Sequence, residues 1–412
     1  MSREYKLTTL SCFVGIFVQA IIATITAILF IPLMDLYGFS YIHLGILVAV
    51  NFSAQVASDL IFSGLIDRIG FKRLVLPADI CSFFGLILFA LAPYLFDNVF
   101  TGIVISTIIF SASSGLLEVL LSPIVNAIPN EHKGPAMSLM HSFYAWGQVA
   151  TIVVTTLFIF LFGGQKWQII VLVWSIIPLI NFFMFLRAPF PDVVPEDHRL
   201  KMSDLMLKPF FMLALFAIFF GAATEIIMNE WASVFMEKGL GLSKVTGDLI
   251  GVGGFAVMMG LGRVLYGRYG AKMNINNILI FGSLISVGCY IVAGVSPVNG
   301  FNIAACALCG LVSSLLWPGT LVISAEKYPL AGAWMFAILA ASGDIGAAVG
   351  PWLTGLAVEN FADTAFVGSL SKMLHITVEQ AAIRTGVLMG VVFPVLAFIC
   401  HILLKRKGRS LS

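Results

Sequence analysis

The sequence predicts an all-α membrane protein, with twelve transmembrane helices arranged as two pseudo-symmetric six-helix bundles. A lipid-like composition, twelve apolar runs of membrane length, and motifs that recur almost 200 positions apart predict it. Of 412 residues, 59% are hydrophobic and only 11% are charged, against roughly 25% charged in an average soluble domain. With a mean hydropathy of +1.01, apolar side chains outnumber what a water-facing fold could bury, so lipid must solvate most of the surface. A formal net charge of +2, with basic residues clustered only in the tail Lys405-Arg406-Lys407-Gly408-Arg409, gives no footing for a nucleic-acid partner.

A helix needs about 20 mostly apolar residues to cross the hydrocarbon core. Runs of that kind lie at 8–34, 41–64, 74–95, 98–128, 135–163 and 167–187, and again at 209–236, 245–267, 276–295, 299–325, 332–358 and 383–404. No small-residue cleavage site follows the first run, so it is expected to be a span and not a removable signal peptide. Lys and Arg are retained on the cytoplasmic side. Placing both termini there assigns it 18 of the 23 basic residues, among them Lys72, Arg73, Arg263, Arg268 and Lys327, and leaves Lys166, Lys238, Lys244, Lys372 and Arg384 outside. The expected location is therefore the plasma (inner) membrane, with cytoplasmic termini. The stretch from Ala188 to Lys208, with Pro189, Pro191 and Pro195, reads as the linker between domains. The expected organisation is a first bundle over 1–190, a cytoplasmic linker over 191–208 and a second bundle over 209–412.

The repeat supports this division. Asp67-Arg68-Ile69-Gly70-Phe71-Lys72 matches Gly267-Arg268-Tyr269-Gly270-Ala271-Lys272, 200 positions on. Gly115 and Pro123 match Gly310 and Pro318 at 195, and Gly147-Gln148 matches Gly343-Asp344 at 196. Parallel repeats of this kind place a substrate site between halves, near the bilayer midplane.

The segment Gly64-Leu65-Ile66-Asp67-Arg68-Ile69-Gly70-Phe71-Lys72-Arg73 resembles the loop motif that the major facilitator superfamily carries between its second and third helices. Asp67, Arg68, Lys72 and Arg73 would then form a cytoplasmic charge latch that opens during alternating access; the other reading is that they only anchor orientation. Within the superfamily, Gly115-Leu116-Leu117-Glu118-Val119-Leu120-Leu121-Ser122-Pro123 and His141-Ser142-Phe143-Tyr144-Ala145-Trp146-Gly147 resemble the fucose permease branch of sugar:proton symporters. That resemblance implies a role for Glu118 in substrate and proton handling. The branch also places an acid in its first helix, whereas the first span here offers only Gln19, Thr24 and Thr26 at depth.

Ionisable groups deep in a bilayer need a partner, a watery cavity or a function. Glu118 lies about twenty residues into the fourth span, where desolvation penalises a carboxylate and suits it to taking up and releasing a proton. It is the leading proton carrier, against a protonated group that merely bonds a neighbouring helix. Glu225 and Asn229 are four apart on one face of the seventh span, where Glu225 is a second acid for coupling and Asn229 a substrate contact. Asp344, between Gly343 and Gly346, is either a third titrating site or a helix-packing residue. Asp59 and Asp79 read as latch or water-facing groups. His141, Tyr144 and Gln148 form a polar stripe on an otherwise apolar helix, suited to a neutral polyhydroxyl ligand. Trp317, with Trp146 and Trp231, offers a flat face for the C–H surface of a sugar ring. Trp167 reads as an interfacial anchor near the outer boundary, and Trp231 equally as an anchor or a sugar-facing ring. Gln19, Asn51 and Gln55 extend the lining, or else make interhelical hydrogen bonds.

These residues predict a secondary transporter that imports a neutral monosaccharide, or a similar polyhydroxylated solute, by proton symport through alternating access. Sodium is the alternative coupling ion. The rival reading is a proton-driven exporter of amphipathic small molecules, whose usual fifth-helix Gly-Pro pair is absent from Gly147-Gln148-Val149-Ala150-Thr151. Few basic residues in the predicted cavity argue against an organic anion. No metal-spaced histidine cluster, Ser/His/Asp constellation or phosphate loop points to an enzyme, a metal or a cofactor. The six cysteines read as inert lipid-buried thiols, and the default assembly is a monomer.

Overall fold

The computed structural model describes residues 4–39, 41–62, 65, 69–129, 133–191, 202–243 and 246–409. Among them every regular element is a helix, and eleven helical segments are long and apolar enough to cross a membrane. In chain order, α1 (Lys6–Ile28) and α2 (Phe30–Tyr37) form the first span, followed by α3 (Tyr41–Phe62), α4 (Phe71–Leu95), α5 (Val99–Ala127), α6 (Lys133–Phe162) and α7 (Trp167–Arg187). A short α8 (Met202–Met206) leads to α9 (Pro209–Val234), α10 (Gly254–Tyr269) and α11 (Ile275–Val295). The tenth span is split into α12 (Asn299–Ser313) and α13 (Leu316–Lys327), and α14 (Ala333–Phe361) follows. The chain closes with α15 (Ala365–Leu374), α16 (Val378–Met389) and α17 (Val392–Arg409). With α3, which is 22 residues long, the spans are twelve, as the sequence predicts.

Three spans expected to be continuous are broken, and each break has the same cause. Pro32, Pro318 and Pro394 have no N–H to offer the carbonyls of Ile28, Ser314 and Gly390 four residues earlier, and the helix is interrupted there. Residues 359–382, expected to hold no element, contain α15. Thr364 caps it, its buried Val367 and Leu370 pack on Ala381 and Ala382, and His375 ends it in the left-handed region at φ 54°.

The chain forms two compact units, Met1–Met202 with Pro329–Ala341, and Ser203–Tyr328 with Ser342–Ser412. Within the first unit α5 packs on α3 and α4, and α4 on α7; within the second α12 packs on α10 and α11, and α11 on α17. The repeat has a steric basis in these contacts. A side chain at Gly115 would sit 2.7 Å from the Gln55 carbonyl oxygen, and one at Gly310 would strike the Phe255 carbonyl. Gly147 meets Phe17 and Ala20, and Gly346 meets Phe219, on a second pair of helices, whereas Gly343, matched to Gly147 by spacing, lies against the Trp317 ring. With lipid outside, helices gain by close van der Waals approach, and small residues permit it.

Several single-residue expectations are corrected. Trp167 is fully buried and meets Tyr37 and Phe89 edge-on, so it plugs the first unit and is not an interfacial anchor. Asp59 and Asp79 are fully buried rather than water-facing, and Asn181 Nδ2 donates to both Asp79 oxygens at 3.2 Å. Arg384, counted with the basic residues on the outer side, is not a water-facing cation but lies buried in α16; its Nε donates to the Gly239 carbonyl at 3.1 Å and its Nη1 to the Ser296 carbonyl at 2.7 Å. Cys81 is exposed, while the other five cysteines are buried.

Candidate functional site

The first unit gathers its polar residues around α5. Ser114, Glu118 and Ser122 are spaced four apart, so they form one stripe on that helix. At one end Gln19 Nε2, from α1, donates to the Ser114 carbonyl at 3.0 Å. From α3, Gln55 Oε1 accepts from the Ser114 hydroxyl at 3.4 Å, and Gln55 Nε2 donates to Asn51 Oδ1 at 3.1 Å. At the other end Ser122 Oγ and His141 Nε2, from α6, are 3.1 Å apart. Glu118 lies between them, half-buried. Gly115, next to Ser114, lets α3 approach closely enough for these bonds.

On α6, His141 and Gln148 are buried and Tyr144 is half-buried. Gln148 Oε1 is buried without a hydrogen-bond donor among the described residues. Its neighbour Gly147 rests on Ala20, next to Gln19. Gln19, Asn51, Gln55 and His141 are thus joined by hydrogen bonds through α5, while Gln148 keeps an unused acceptor. Trp146 is exposed and stands apart from the buried stripe.

In the second unit the central feature is an ion pair. Arg263, on α10, is 3% exposed; its Nη2 meets Glu225 Oε1 at 2.9 Å and its Nε donates to the Ser314 carbonyl at 2.8 Å. Pro318 leaves that carbonyl without its helical donor, so the guanidinium fills the break between α12 and α13. Burying two charges is costly, and pairing with added hydrogen bonds offsets the cost. Arg263 is therefore not among the cytoplasmic loop cations with which its position grouped it. One turn along α9, Asn229 Oδ1 is buried without a donor among the described residues, as is Glu225 Oε2. Trp317 lies across Gly343 on α14, and Asp344 follows it, buried.

Of the expected latch, Asp67 and Arg68 lie outside the described residues. Lys72 Nζ donates to the Leu186 carbonyl at 2.9 Å and stands 5.9 Å from the Phe190 ring, so it caps the C-terminal end of α7 within its own unit. Arg73 is exposed.

The sequence reading missed Ser114, Ser122 and Arg263. The two serines sit four residues either side of Glu118, a spacing visible in the sequence. Arg263 lies inside the run 245–267, and that alone separates it from the loop cations.

The Major Facilitator Superfamily family model matches residues 12–351. No curated protein matches the chain. Among solved structures, the fucose:proton symporter FucP of E. coli aligns at a TM-score of 0.75 and 14% identity, over 98% of this chain and 99% of that one. FucP in the outward conformation aligns at 0.76 and 14% identity, over 98% and 99%. The proton:xylose symporter XylE, bound to 6-bromo-6-deoxy-D-glucose, aligns at 0.75 and 14%, over 95% and 94%.

Proposed function

Because the chain belongs to the Major Facilitator Superfamily of membrane transporters, we propose that it imports a neutral monosaccharide or similar polyhydroxylated solute by proton symport. The observation that carries this reading is chemical. Gln148 Oε1, Glu225 Oε2 and Asn229 Oδ1 are buried acceptors without protein donors among the described residues. Each is a group whose desolvation costs about 1–3 kcal/mol if nothing bonds it. Sugar hydroxyls are donors that match such acceptors. The guanidinium of Arg263 is engaged by Glu225 and the Ser314 carbonyl, which favours a neutral solute over an anion.

Glu118 is the proton carrier in this reading, held in a stripe whose other members are neutral. Proton and solute must bias the same conformational equilibrium for coupling to arise. Asp344 is a second carrier candidate, and Asp67, Arg68, Lys72 and Arg73 belong to the proposed latch. The protein is taken to act as a monomer in the plasma membrane with both termini cytoplasmic.

A panel of neutral sugars and amphipathic cations, scored by thermal stabilisation of the purified protein, tests the proposal. A ligand at a hundred times its Kd adds about 2.7 kcal/mol. Stabilisation by one or a few sugars is expected; stabilisation by amphipathic cations alone supports an exporter and overturns the proposal.

A further inference from the structure

A groove of about 270 Å³ opens between α11 and α17, lined by Ile280, Ile402, Lys405 and Arg406. Its two halves differ in chemistry. Lys405 Nζ is held by Asn277 Oδ1 at 2.5 Å, which fixes one cation at the rim, and Arg406 beside it is exposed. Towards the middle of the same two helices the surface turns apolar, with Phe281, Leu284, Ile399 and Leu403 all exposed. Two cations at the end of a membrane span, above an exposed apolar wall, complement an anionic headgroup with acyl chains below it. A water-soluble phosphate would leave the apolar wall uncovered.

We propose that this groove binds an anionic phospholipid, its headgroup phosphate on Lys405 and Arg406 and its chains along α11 and α17. The occupant is committed by charge and by depth together. Lys405 and Arg406 supply the attraction, Asn277 orients Lys405, and Ile280 and Ile402 exclude water from beneath the headgroup. None of these residues belongs to the proposed solute pathway.

The test compares phosphatidylglycerol, phosphatidylcholine and inorganic phosphate, each added to the purified full-length protein in neutral detergent. The readouts are the melting temperature and the lipid retained in native mass spectrometry. Phosphatidylglycerol should raise the midpoint by about 2–4 °C, as expected of a ligand that binds the folded state only. Phosphatidylcholine and inorganic phosphate should leave it unchanged. K405Q with R406Q should abolish the phosphatidylglycerol shift, whereas K372Q should keep it. Ile280→Trp, which keeps both cations but fills the groove, should reduce lipid retention at least tenfold. Equal shifts with both lipids, an equal shift with phosphate, or full retention in Ile280→Trp would each overturn the proposal. Should the double variant fail to fold, Ile280→Trp and the lipid comparison on the unaltered protein decide the question.

Discussion

Arg263 meets Glu225 at 2.9 Å in the interior of one apolar bundle, while its Nε holds the Ser314 carbonyl that Pro318 leaves without a donor. A proline break in one helix and an acid in another are thus served by a single guanidinium, whose planar fork can bond in two directions at once. Glu225 keeps one oxygen without a donor among the described residues, so the pair is anchored on one side and open on the other.

Removing one member of a buried pair leaves the other uncompensated. Arg263→Met should cost about 3–5 kcal/mol, whereas Arg263→Met with Glu225→Met should recover most of that loss. Thermal unfolding of the three proteins is the measurement. Equal stability of the single and double variants would show that the pair carries no electrostatic strain when broken.

The glycine contacts predict matched sensitivity in the two units. Gly115→Val and Gly310→Val both drive a side chain into the backbone of a neighbouring helix, at about 1–3 kcal/mol or more for overpacking. Gly300→Ala, where no atom lies within 4 Å of the added carbon, should stay within about 0.5 kcal/mol of the parent. Folded yield and melting temperature of the purified variants distinguish these outcomes.

Glu118→Gln retains the shape of the side chain and removes its titration. It should abolish accumulation driven by a proton gradient while leaving solute exchange measurable in proteoliposomes. Unchanged accumulation would remove Glu118 from the coupling mechanism.

Tyr144→Phe and Gln148→Ala delete polar groups from the α6 stripe. Each should weaken solute binding by about 5- to 150-fold, corresponding to roughly 1–3 kcal/mol, without lowering the melting temperature. Parent-like affinity in both variants would assign the stripe to helix packing.

The spans and their repeat were legible because the lipid requirement is written in composition and the repeat in glycines at nearly one offset. Gly115 and Gly310 could be matched by spacing alone, since a carbonyl directly opposite tolerates no other residue well. Helix breaks were less legible: Pro32, Pro318 and Pro394 interrupt their helices, while Pro123, Pro178 and Pro351 sit inside continuous ones. At the Pro318 break the freed Ser314 carbonyl takes its donor from Arg263, a residue on another helix. Arg263 itself was grouped with the loop cations because charge counting weighs nearness to a helix end and is blind to a partner 38 positions away. Asp79 was misplaced for a similar reason, its partner Asn181 being 102 positions along the chain.

The contacts at Gly115 and Gly310 each close between helices near one another in the chain, α3 with α5 and α10 with α12. A ribosome could therefore deliver α3 and α5, which meet at Gly115, before α10 and α12 have left the exit tunnel, and each pair could lock as it entered the bilayer. Duplication of such a helix pair carries its own assembly instructions with it.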